Sequence, residues 1–324
     1  MRTMAGRALT VSCIALLLAS CGALQHAVVQ RTPLRIAYSS RWGDGTMVIA
    51  DKKGFFSKHG VEIEPVYYPI SNDELADLAA ADIDGGLMAI GDAVNVANRS
   101  QIKVVAVADD GGGSTIIASP QIATLSDLKG KRIGVQLGTW HELIVSEMLA
   151  SAGLSASDVI LSNLHPEEVP TALGSQVDAA YTWEPFTSIA LTKDNRVLFE
   201  SKELIGAFPN VIVFRQPVAQ ERSEEIRAFL QAWFEAADFR QKNPDEAARI
   251  ISTHFGTSGE NPGANISIRI LNRADNYIYF QDSGSGNQPS LSAVTQTNAE
   301  YLLRIGVLTQ LPDVKKLLDP SYLQ

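Results

Sequence analysis

A chain of 324 residues with 27 Lys and Arg against 36 Asp and Glu, a formal net charge of −9, lacks the basic balance that nucleic acid or a polybasic membrane contact would require. Its two cysteines, Cys13 and Cys21, both lie close to the amino terminus, so the rest of the chain can form neither a disulfide nor a cysteine-based metal site. The roughly 300 residues that follow are enough for two domain-sized cores.

Arg2 and Arg7 make a basic start, and Ala8 to Ala19 is a compact apolar run. At about a dozen residues it is too short for a bilayer span, which needs about 20, so residues 1–20 read as a signal peptide. Leu18-Ala19-Ser20-Cys21 resembles the bacterial lipobox, which implies that Cys21 becomes a lipidated amino terminus. Residues 21–32 are then a tether, and the folded part is periplasmic or otherwise extracytoplasmic, held at a membrane surface by acyl chains. An ordinary signal peptide with a chance cysteine is the alternative.

From residue 33, strand-like and helix-like runs alternate. LRIAY (34–38), VEIEPVYY (61–68), IDGGLMAI (83–90) and IKVVAVAD (102–109) are rich in apolar and β-branched residues. The runs between them, 46–60, 71–82 and 92–100, open on plausible caps and end in polar or glycine residues. This order predicts an α/β fold, a mainly parallel sheet with helices on both faces. The pattern then starts afresh with RIGVQ (132–136), a helix over 140–153, and strands at 159–164, 177–183 and 196–201. After NVIVFR (210–215) the chain turns helical: Ile226, Phe229, Leu230, Trp233, Phe234 and Ala237 form a stripe at helical spacing. Asn243-Pro244 starts another helix, SGSGN (283–287) is a flexible stretch, and a last helix around 291–304 stops at Gly306. The segments STIIASP (114–120) and PNVIVF (209–214) bracket the middle unit and read as strands crossing between two lobes. No long Pro/Ser linker separates the units, which favours intimate lobes.

GDGTMVIADKKGFFSKHGVEIE (43–64), the stretch 114–149, VDAAYTWEPF (177–186) and LTQLPDVKKLLDPSYL (308–323) are similar to segments of bacterial ABC-transporter solute-binding proteins, namely those for nitrate, taurine, aliphatic sulfonates and the thiamine pyrimidine precursor. The resemblance runs over nearly the whole mature chain. It implies a type II periplasmic-binding-protein fold of two α/β lobes joined by two crossover strands. One lobe would comprise residues 33–117 and 213–324, and the other 118–212. It also implies a monomer that closes over a small-molecule ligand and presents it to an ABC permease in the membrane, with no enzyme activity, no cofactor and no nucleic-acid partner.

In open parallel sheets ligands sit outside the carboxyl ends of the strands. Those ends carry Ser39, Ser40, Arg41 and Trp42; Gly91 and Asp92; Gly138 and Thr139; and Trp183 and Glu184. Gly138-Thr139 reads as an anion seat, because Thr139 and Glu142 match a capping box and a helix start offers free N–H groups; an empty capped turn is the alternative. Trp42 and Trp183 are suited to flank a ligand body, or to pack within their own lobes. Asp92 and Glu184 would meet a cationic or N–H end, or merely favour their helix dipoles. Arg41 is a candidate for an anion or a surface residue. Ser114 and Thr115 follow three glycines at the presumed crossing, so either the hydroxyls reach the ligand or the glycines serve the hinge. No histidine spacing reads as a metal site, and HPEE (165–168) reads as a solvated loop.

An enzyme is disfavoured: there is no G-x-S-x-G, no mature thiol and no cysteine-rich motif of the kind found in a pyrimidine synthase of this fold. A ligand-sensing lipoprotein is the other alternative. The tryptophans and acids favour an organic ligand over an inorganic anion, and the reading is a small organic anion or zwitterion, sulfonate- or taurine-like, with a thiamine-pyrimidine-like heterocycle or nitrate as the alternative.

Overall fold

Three of the first four strand-like runs, around residues 34–38, 85–89 and 102–109, are near-continuously buried, as strands covered by helices on both faces must be, while the edge run 63–67 is largely exposed. In the computed structural model, residues 32–69, 71–184, 186–191, 194–204, 206–256, 268–282 and 289–324 are described; the expected signal peptide, Cys21, the expected tether up to residue 31 and the 283–287 stretch lie outside them. The chain runs β1 (Leu34–Tyr38), α1 (Gly45–Lys52), α2 (Phe55–Lys58), β2 (Ile63–Tyr67), α3 (Ser71–Ala80), β3 (Gly85–Ala89), α4 (Ile90–Ala97) and β4 (Ile102–Asp109). It continues through β5 (Ser114–Ala118), β6 (Arg132–Val135), α5 (His141–Ser151), β7 (Ile160–Asn163), α6 (Val169–Ala172), β8 (Ala179–Trp183), α7 (Phe186–Leu191) and β9 (Arg196–Glu200). It ends with β10 (Asn210–Arg215), α8 (Gln216–Glu221), α9 (Ser223–Lys242), α10 (Pro244–Phe255), α11 (Arg273–Tyr279), α12 (Leu291–Arg304) and α13 (Val314–Leu317).

Two five-stranded mixed sheets result, ordered β2-β1-β3-β10-β4 and β7-β6-β8-β5-β9, each the core of one lobe. In each, one strand runs against its neighbours: β10 is antiparallel to β3 and β4, and β5 to β8 and β9. These are the strands on which the chain enters the second sheet and returns to the first. Most of each segment expected to cross between lobes, 114–120 and 209–214, is therefore sheet strand, β5 and β10, and the crossings are the links just ahead of these strands, 110–113 and the chain that ends at 206–209. The two links lie side by side. Ser201 Oγ donates to the Gly111 carbonyl at 2.8 Å and accepts from Ser114 N at 3.2 Å, and Asn210 Nδ2 donates to Asp109 Oδ1 at 2.7 Å.

Chain beyond β10 covers the first sheet. The α9 stripe is buried as its spacing demands, with Trp233 fully enclosed. Phe229 of the stripe stacks on Phe56 at 5.5 Å and meets Phe214 of β10 edge-on at 5.7 Å. Burying side chains of this size stabilises by about 1.5–3 kcal/mol each, which outweighs the helix's modest intrinsic preference. Residues 268–271 rejoin the first sheet's edge, where Asp110 N donates to the Arg269 carbonyl at 3.1 Å. Among the described residues no helix is long and apolar enough to cross a membrane.

Candidate functional site

A cavity of about 950 Å³, mouth included, opens between the two sheets at the carboxyl ends of their parallel strands. The loop after β1 supplies Ser39 to Trp42, α4 supplies Asp92, and the first crossing with the start of β5 supplies Gly111 to Ser114. The second lobe contributes Trp140 and His141, the loop after β7 (His165 to Glu167), and Tyr181, Trp183 and Glu184 from β8 and its end. Phe208 of the returning crossing and Asn210 at the start of β10 complete the lining.

The 39–44 loop is organised by one buried carboxylate. Asp44 Oδ2 accepts from Ser39 N at 2.7 Å, Ser39 Oγ at 2.9 Å and Arg41 Nη2 at 3.1 Å. Arg41 also reaches the Leu87 carbonyl and lies 3.8 Å from Glu74 Oε1. Glu74 is fully buried, with neither oxygen hydrogen-bonded. Burial pushes the Glu74 carboxyl well above its ordinary range, and Arg41 only partly opposes this. Burial also works against the Arg41 charge, but Asp44 and Glu74 outweigh it and hold the guanidinium charged. Arg41 is thus a structural ion first, with two carboxylates within 4 Å. Trp42 lines the cavity under a second buried arginine: the Arg240 guanidinium sits 5.3 Å from the Trp42 ring centre and donates to its carbonyl at 2.9 Å.

The second lobe presents an aromatic wall. His141 stacks on Tyr181 at 4.9 Å and lies 5.4 Å from Trp183, and Trp140 stacks on Phe208 at 5.9 Å. The His141 ring is buried and its Nδ1 has no hydrogen-bond partner. Burial, then the Arg41 charge, pushes its pKa down to about 3, so it is a neutral imidazole at physiological pH. Asp92 accepts from Trp140 Nε1 at 2.9 Å. Burial pushes its carboxyl up to about 6, against the pull of Arg41 and of that indole N–H. Glu184 lines the cavity while also accepting from Ser188 Oγ at 3.0 Å, within the first turn of α7. Tyr181 Oη donates to Ser114 Oγ at 3.0 Å.

Of the residues singled out from sequence, Ser39, Trp42, Asp92, Ser114, Trp183 and Glu184 therefore line one cavity. Four do not. Gly138 turns the chain with φ +75° and faces open space. Its N–H goes to Glu142 Oε1 at 2.5 Å, the His141 N–H goes to Thr139 Oγ1 at 3.2 Å, and the Thr139 hydroxyl donates to Gln136 O at 2.7 Å. Two N–H groups at the expected anion seat thus go to the chain's own side chains, and Glu142 reaches back to Gly138 N rather than to Thr139 N. Thr115 is buried inside the second lobe, bonded to Thr187 Oγ1 at 2.9 Å. Gly91 lies beneath the Trp140 ring rather than on the cavity.

The sequence reading passes over Trp140, His141, Tyr181 and the 165–167 loop. The last follows β7 directly, so the strand-end rule that selects the other loops applies to it equally; His165, Pro166 and Glu167 line the cleft, and only Glu168 of HPEE is solvated as expected. Among the described residues no group of His, Cys, Asp and Glu could hold a metal ion.

Residues 45–247 match the family model described as NMT1/THI5 like. A binding protein of Brucella abortus is 29% identical over 238 residues, 70% of this chain and 72% of its own length. A thiamine biosynthesis protein of Haemophilus influenzae is 26% identical over 215 residues, 62% of this chain and 66% of its own. The crystal structure of the periplasmic aliphatic sulphonate binding protein SsuA from Escherichia coli superposes with a TM-score of 0.70 at 20% identity, covering 91% of this chain and all of that one. At that identity the likeness shows the fold, the periplasmic-binding-protein fold of two lobes.

Proposed function

The chain belongs to the NMT1/THI5-like family, and from that premise we propose that it is the solute-binding component of an ABC importer. It closes its lobes over a small organic molecule and delivers it to a membrane permease. The observation that carries this reading is the cavity itself, which draws its walls from the strand ends of both sheets. We further propose that Cys21 carries a lipid anchor. Replacing Cys21 with serine is expected to abolish incorporation of labelled lipid; label that persists in the variant would refute the anchor.

The lining favours a planar ligand that donates N–H groups, in the class of a thiamine-pyrimidine-like heterocycle. Rings of Trp183, His141 and Tyr181 offer stacking faces, and Asp92, Glu167 and Glu184 offer acceptors. The sulfonate- or taurine-like reading keeps one support: Arg41 is the single Lys or Arg among the described lining residues. Its charge is shared with Asp44 and Glu74, so it is a weak seat for a second anion.

A thermal-shift screen of the purified chain against aminopyrimidines, taurine, alkanesulfonates and nitrate tests this. A ligand at a hundred times its dissociation constant adds about 2.7 kcal/mol. An aminopyrimidine is expected to stabilise, and Trp183→Ala or Asp92→Asn to weaken it by about 1–3 kcal/mol each. Stabilisation by a sulfonate alone would overturn the ligand class and leave the importer reading standing.

A further inference from the structure

We propose that Trp140 is an inter-lobe latch that holds the cleft closed before any ligand arrives. Trp140 is the residue immediately before α5 and belongs to the second lobe, yet it is buried and its indole meets Asp92, Gly91 and Phe208 from outside that lobe as well as its neighbour His141. Its Nε1 donates to Asp92 Oδ1 of α4, in the first lobe, at 2.9 Å. Its ring lies on Phe208 of the returning crossing, 27° from parallel. The ring can come this close only because residue 91 has no side chain: a Cβ there would fall 2.5 Å from Trp140 Cβ and 2.7 Å from Cδ1, closer than packed atoms approach. A hydrogen bond to a carboxylate in a desolvated setting, combined with a ring fitted to a glycine, is the type of contact that separates two discrete arrangements of packed lobes.

The latch has two consequences. It fixes the Asp92 carboxylate toward the cavity, making Trp140 a positioning residue for whatever donor that acid meets; this part rests on the binding-protein reading. It also biases the unliganded chain toward closure, which reduces the conformational cost charged to binding. The second consequence needs no ligand and is tested without one.

The experiment compares full-length wild type with Gly91→Ala and Trp140→Phe, all ligand-free, by small-angle X-ray scattering and by the indole N–H signals in proton–nitrogen NMR. Gly91 lies in the first turn of α4 and lines no part of the cavity, and alanine favours a helix over glycine, so this variant keeps its secondary structure. Losing a charge-assisted hydrogen bond is expected to lower the closed-to-open ratio roughly 10- to 100-fold, read as a larger radius of gyration in both variants. The chain has four tryptophans; one indole signal should vanish in Trp140→Phe and that same signal should move in Gly91→Ala and in Asp92→Asn. Scattering curves that superimpose on wild type, or an indole signal indifferent to Asp92, would overturn the latch. Either result is independent of the ligand screen, so failure here leaves the importer reading intact, and failure there leaves the latch intact.

Discussion

Replacing Arg41 with methionine is expected to cost about 3–5 kcal/mol of folding stability, the range for removing one partner of a buried ion cluster. The guanidinium lies 3.1 Å from Asp44 and 3.8 Å from Glu74, and neither acid is measurably exposed. Methionine preserves the stem's packing and removes only the charge and its donors, leaving Asp44 with the Ser39 hydrogen bonds alone and Glu74 with no cation beside it in a low-dielectric setting. Lysine is a poor substitute, since its point charge cannot serve Asp44 and the Leu87 carbonyl from one planar fork. Adding Glu74→Gln to Arg41→Met should restore part of the loss, because the groups are in contact and their effects are not additive. Urea midpoints of the three proteins check this. An unchanged midpoint in Arg41→Met would mean that the cluster contributes nothing.

The second large effect is a pH dependence centred on Asp109, which ends β4 at the mouth of the first crossing. Burial pushes its carboxyl up to about 7, against hydrogen bonds from Gly111 N and Asn210 Nδ2; one oxygen has no partner at all. In the unfolded chain the group titrates near its ordinary value of 3.8. Between those values the folded protein holds a proton that the unfolded chain has lost. Stability therefore falls as pH rises through this window, by about 1.4 kcal/mol per unit. Asp92 and Glu74, also raised by burial, act in the same direction, while His141, lowered to about 3, acts in the opposite one below its ordinary 6.5. Asparagine at 109 removes only the first contribution. Between pH 5 and pH 8 the stability of Asp109→Asn relative to wild type should improve by about 3 kcal/mol. Parallel stability profiles would show that Asp109 ionises as freely in the folded chain as in the unfolded one.

Much of the architecture is legible in residue patterns, since a strand such as Gly85–Ala89 is a short continuous buried run and a helix such as Ser223–Lys242 is marked by burial at helical spacing. The strand-end rule also brings Ser39, Trp42, Asp92, Trp183 and Glu184 to one place, because it depends on topology and not on side-chain direction. Direction is what sequence leaves open. Gly138 and Thr139 lie in the turn ahead of α5 and Trp140 and His141 begin the helix itself, so a shift of only two residues exchanges the outside of the turn for the cleft. Burial partners far apart in sequence are equally hidden. Asp44 stands three residues from Arg41 and is visible as a local pair, whereas Glu74 reaches it only through the docking of α3 on the sheet. Without that distant acid, Arg41 looks like a free cation for an anionic ligand.

The adjacency of the two crossings has a consequence for engineering. Asp109 and Asn210 are register partners on neighbouring antiparallel strands, where opposite Cα atoms stand about 4.5–5.5 Å apart. Everything between them, about a hundred residues, leaves the first sheet and re-enters it at one spot. To that sheet the second lobe is the loop of a β4–β10 hairpin, grown to the size of a domain. A turn of about two to five residues would suffice to close the hairpin without it. The same gap accepts a graft from any relative whose own strands enter and leave side by side. The second-lobe wall of the cavity is therefore exchangeable by two splices at 109 and 210, provided the replacement keeps a residue that fits Gly91 and Asp92 as Trp140 does.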